Sequence, residues 1–153
     1  MKTLRRIALT LLAACAAVAS AGELDPRAIT ITKLEDIKWV DNAAGTAAQS
    51  VIYGDPAKPG PYAYFVKWKA GNMSRPHFHP NDRWITVLSG TWWVGTGETF
   101  NPEGTVPVQA GTFVLHTAKG IHYDGAKQGD VILMIHGEGP ATSIPAERKQ
   151  AGS

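Results

Sequence analysis

The chain has 153 residues, 44% hydrophobic and 18% charged, which is enough apolar side chain for one ordinary core and too much for a disordered segment. Its formal charge of +2 includes Lys2, Arg5 and Arg6, three cations in a stretch without an acid, and leaving them out takes it to −1. That balance gives no electrostatic footprint for nucleic acid or for an anionic membrane surface.

In chain order, MKTLRR is a positive n-region, IALTLLAACAAVA an apolar h-region, and Ala19-Ser20-Ala21 a small-x-small cleavage site. Residues 1–21 therefore read as a signal peptide cut after Ala21, which places the mature chain in the periplasm or outside the cell. The apolar run is too short for a membrane span. Leu12-Ala13-Ala14-Cys15 also reads as a lipobox, and on that alternative Cys15 carries a lipid anchor. Cys15 is the one cysteine, so a mature chain from Gly22 has no disulfide and no thiol nucleophile.

Residues 22–57 read as an N-terminal arm and link: the alternating AITITKL and then EDIKWV over 27–40, followed by the turn-rich VIYGDPAKPGPY over 51–62. Between 58 and 140 come short strand-like runs: YAYFVKWKAG, RPHFH, RWITVLSG, TWWVGTG, VPVQAG, TFVLHTAKG, IHYDG and VILMIHG. Gly, Pro, Asn and Asp separate them at intervals of about ten residues, the pattern of a sandwich or barrel. Residues 141–153 form a C-terminal tail. No stretch after residue 40 keeps a helical period for three turns, so the expected fold is all-β, in one domain.

SRPHFHPNDRW, residues 74–84, sets His77 and His79 at i and i+2 on one strand face, about 6–7 Å apart, where both imidazoles reach one metal ion. Taken alone, the pair reads equally as two solvated histidines on a polar face. The spacing Gly71-x5-His77-x-His79-x3-Arg83-x6-Gly90, with Gly111-x5-Thr117-x-Lys119-x2-His122 downstream, settles that choice toward function. Together they resemble the two motifs of the cupin superfamily, in its small single-domain, ChrR-like form. Those motifs read G-x5-H-x-H-x(3,4)-E-x6-G and G-x5-P-x-G-x2-H-x3-N. Here Arg83 replaces the Glu, Thr117 the Pro, Lys119 the second Gly and Ala126 the Asn.

The resemblance implies a double-stranded β-helix, a jelly-roll barrel with a cavity between its sheets, whose N-terminal arm pairs with a neighbour in a homodimer. It also implies one divalent transition metal (Fe, Mn, Ni, Cu or Zn) held by His77, His79 and His122. Three imidazoles leave coordination positions open, which suits catalysis. The diketone-cleaving, dioxygenase-like cupins hold their metal with three histidines and no carboxylate. The expected function is a metal-dependent enzyme of oxygenase, lyase or isomerase type acting on a small molecule. The alternative is a non-catalytic periplasmic cupin that binds a small ligand or a metal.

Arginine stays cationic and cannot ligate, so Arg83 admits three readings. It turns outward to pair with Asp82, it points inward to clamp an anionic substrate beside the metal, or the metal is lost and a binding pocket remains. Arg83 and His136 are the candidate catalytic residues, His136 either facing the cavity as an acid/base or lying on the outer face. His116 reads as a surface or packing residue and Glu98 as an exposed loop acid. Tyr64, Val66 and Trp68 share one strand face toward the cavity, and Trp92 and Trp93 must point to opposite faces.

Overall fold

The fold is that of a computed structural model, which describes residues 22–148; the leader and Cys15 lie outside the described residues. Residues 22–31 hold one local turn, in which the Asp25 carbonyl accepts from the amides of Ala28 and Ile29 and its carboxylate from Arg27. AITITKL forms no strand. Alternation offers an amphipathic face, but a strand also needs a neighbour for its N–H and C=O groups.

From Thr32 onward the described chain holds two 3-10 turns, Leu34–Asp36 and Pro102–Gly104, and eleven strands. The strands are β1 Val40–Asp41, β2 Ala47–Tyr53, β3 Gly60–Trp68, β4 His77–Phe78, β5 Arg83–Ser89 and β6 Thr91–Thr96. Then follow β7 Val106–Gln109, β8 Phe113–His116, β9 His122–Gly125, β10 Val131–Gly139 and β11 Ile144–Pro145. All pairings are antiparallel, in a six-stranded sheet ordered β1-β2-β3-β10-β5-β8 and a five-stranded sheet ordered β11-β4-β9-β6-β7. This is the expected all-β jelly-roll architecture. No helix among the described residues is long and apolar enough to cross a membrane.

Period-two burial explains how the sheets close on each other. In β5, Arg83, Ile85 and Val87 are buried while Trp84 and Thr86 face away; in β10, Val131, Leu133 and Ile135 are buried while Met134 and His136 face away. With Tyr62, Tyr64, Trp92 and Ala126 these residues form one core. Full burial of each large aliphatic side chain contributes about 1.5–3 kcal/mol. Tight turns set the strand ends. Gly90, between β5 and β6, takes φ 77°, and a Cβ there would stand 2.4 Å from the Asp130 carbonyl oxygen.

β2 is the element that composition hid. Ala47, Ala48, Gln49 and Ser50 have little strand propensity, and pairing with β3 along most of its length holds them extended. The expected turn-rich link thus begins inside a strand, and β1 and β2 extend the larger sheet.

Candidate metal centre

Two cross-strand rungs build the site. On the smaller sheet His77 of β4 lies directly opposite His122 of β9; on the larger, Arg83 of β5 lies opposite His116 of β8. The loops are tied too: the Lys119 amide donates to the His79 carbonyl at 2.7 Å and the Ala118 amide to the Asp82 carboxylate at 2.6 Å. Lys119 makes that contact at φ 64°, the left-handed conformation for which the motif normally supplies Gly.

His77, His79 and His122 are brought together as expected, with ring centroids 4.5–5.2 Å apart and ligand nitrogens all within 4.8 Å of one another. Each donates its Nδ1–H to a backbone carbonyl: His77 to Arg75 at 2.8 Å, His79 to Thr142 at 2.9 Å and His122 to Gly120 at 2.9 Å. These bonds select one tautomer and turn three Nε2 lone pairs away from the main chain, that of His79 toward Arg83. The Nε2 of His122 is buried without a partner. Burial, reinforced by the charge of Arg83, pushes His79 down to about 3, and burial also lowers His122 against the pull of Asp124. Neutral, oriented imidazoles are what a divalent transition metal requires, so the set fits one.

Arg83 points inward and is 8% exposed. Its Nη1 donates to the Nε2 of His79 and its Nη2 to the Tyr64 hydroxyl at 2.5 Å, while its Nε is buried without a partner. The outward pairing with Asp82 does not occur, because alternation along β5 puts Arg83 on the buried face with Ile85 and Val87; the Asp82 carboxylate accepts from the Ala118 amide instead. Burial raises the pKa of Tyr64, with the Arg83 charge opposing the rise.

His136 does not join the site. It alternates away from Ile135 and Gly137 and stacks on Trp84 on the opposite face, centroids 5.5 Å apart. Glu98 lies in a loop away from the site, half-buried and bound to Arg148 rather than fully exposed. Trp92 and Trp93 part as expected: Trp92 is buried within, whereas Trp93 carries Lys127 over its ring.

Two residues that the motif spacing did not flag stand beside His122. Asp124, 7% exposed, places its carboxylate 4.0 Å from the His122 Nε2, and it is two residues away on the same strand face. His116, read from sequence as surface or packing, lies with its ring centroid 3.8 Å from that of His122. Burial pushes it down to about 2. A cavity of about 80 Å³, lined among others by Val66, Trp68, Arg83, Trp92, His116 and Asp124, runs between the sheets. A larger surface pocket of about 340 Å³, bounded by Gln49, Val51, Asp55, Tyr64 and Ala141, reaches Tyr64 from outside.

The profile of the ChrR cupin-like domain matches residues 27–142, spanning every ligand candidate above. The chain belongs to the ChrR cupin-like family. No curated protein matches this cupin in sequence. Among solved structures it is similar to the polyketide cyclase RemF from Streptomyces resistomycificus, at 12% identity and a TM-score of 0.63, over 80% of this chain and 88% of that one. It is also similar to KdgF from Halomonas sp., at 18% identity and TM-score 0.55, over 71% and 94% of the two chains. A third likeness is to a chain of the Rhodobacter sphaeroides SigE complex with the anti-sigma ChrR. There the identity is 20% and the TM-score 0.53, over 69% of this cupin and 51% of that chain. At these identities the likeness is one of fold.

Proposed function

We propose that this cupin is an exported, metal-dependent enzyme of lyase, isomerase or oxygenase type acting on a small anionic or oxygenated molecule. The observation that carries the reading is the set of three Nε2 lone pairs, each oriented by an Nδ1–H bond to a main-chain carbonyl. His77, His79 and His122 would hold the ion, which would supply Lewis-acid polarisation of a substrate oxygen. Arg83 offers a planar fork that binds a carboxylate in two parallel bonds, and the Tyr64 hydroxyl positions it. Leu133, Ile135 and Trp92 exclude bulk water beneath the site. The surface pocket that Tyr64 helps to line supports docking of a small molecule on that side of the Arg83 partner. The presence of a polyketide cyclase among the fold's neighbours supports a small-molecule substrate.

The Arg83–His79 bond favours a second reading, since it occupies one of the three lone pairs: a metal-free pocket that captures a small anion. Elemental analysis of unchelated protein separates the two. The enzyme reading expects about one equivalent of a transition metal, held at least ten-fold more weakly in His77→Ala, a loss no smaller than that of orienting partners. Protein that carries no metal and takes up none on titration leaves the anion pocket standing instead.

A further inference from the structure

We propose a second, inner position for the ion, formed by His116, His122 and Asp124. It rests on the reading that His122 is a metal ligand, and it uses two residues outside the motif ligand positions. The three ligand atoms lie within 4.8 Å of one another, as do those of the outer set. His122, 6% exposed, has its Nδ1–H committed to Gly120, so its unpartnered Nε2 serves one ion at a time. That atom faces the Asp124 carboxylate across 4.0 Å, too long for a hydrogen bond, and two sets of lone pairs opposed in a buried site call for a cation between them. The Nδ1 of His116 is likewise buried without a partner. His116 and Asp124 both line the internal cavity, as does Trp92, whose Nε1 is buried and unpartnered.

The inner set solves the difficulty that Arg83 creates. At the outer position an ion competes with the guanidinium for the His79 Nε2. At the inner one Arg83 keeps its bond to His79, and Asp124 supplies the carboxylate missing at position 83. Two histidines and a carboxylate form the facial arrangement that holds divalent iron and its neighbours with positions open. The shared His122 makes the two positions alternatives for one ion, outer when His79 is free and inner when Arg83 holds it.

Zinc titration by calorimetry, on the full exported chain stripped of metal, tests this with His77→Ala/His79→Ala. That variant should still bind one equivalent of zinc, at least ten-fold more weakly than wild type, and adding Asp124→Asn or His116→Ala should abolish that residual binding. His79→Gln, which leaves an amide oxygen to accept from Arg83, replaces the double variant if the latter does not fold. Residual binding that ignores Asp124 and His116, or none at all, overturns the inner position and leaves the outer reading standing. Unchanged affinity in the double variant upholds the inner position and removes the outer one. Failure of wild type to bind zinc removes both.

Discussion

Arg83 is the residue on which the chemistry turns. A buried guanidinium bonded only to an imidazole and a phenol is costly unless an anion or a polar network compensates it. Replacing it with a carboxylate should therefore move metal affinity strongly. Arg83→Glu frees the His79 lone pair, removes a positive charge and adds a ligand, so zinc affinity should rise at least ten-fold by calorimetry. An unchanged affinity would mean that the guanidinium does not oppose the ion. The buried histidines carry a second consequence. His79 and His116 have native pKa values of about 3 and about 2, below their unfolded value near 6.5, so the unfolded chain binds more protons between those limits. Stability of the metal-free protein should fall as pH drops from about 6.5 toward 3, by up to about 1.4 kcal/mol per pH unit for each histidine. Urea midpoints at pH 7 and pH 5 measure it, and His116→Gln should flatten the slope.

Among the elements, the turn between β5 and β6 gives the sharpest test. Gly90→Ala forces a side chain into the left-handed region and against the Asp130 carbonyl, which should cost about 2 kcal/mol or more, read as a lower urea midpoint at unchanged m. Strands such as β5 and β10 were legible because they alternate, and their Gly and Asp boundaries are explicit. β2 was not, since Ala47 to Ser50 are extended only through their ladder with β3. The same split runs through the site. His77, His79 and His122 followed from spacing, and the inward aim of Arg83 is the alternation of Arg83, Ile85 and Val87. Asp124 could have been found by that rule, being two residues from His122 on one strand. His116 could not: apolar Leu115 beside it suggests the opposite face inward, yet Phe113 and Leu115 are exposed, 60% and 46%, on the outer side of edge strand β8. Pattern alone does not tell which face of an apolar edge strand is buried.

At the scale of the whole molecule, export remains a proposal. A periplasmic fraction should yield protein beginning at Gly22, or a lipidated species beginning at Cys15, by N-terminal mass spectrometry; full-length cytoplasmic protein with Met1 would refute it. The barrel itself closes unevenly. β4 is two residues long and meets β9 through the single rung His77–His122, which is also a ligand pair. An ion held there would act as a clasp across 45 positions of chain, fastening β4 and the edge strand β11 behind it to the rest of their sheet. Each ten-fold rise in free metal above the dissociation constant would then add about 1.4 kcal/mol to the folded state. Heat tolerance becomes a gauge of local metal supply, and a starved cell would carry a looser, more protease-sensitive protein.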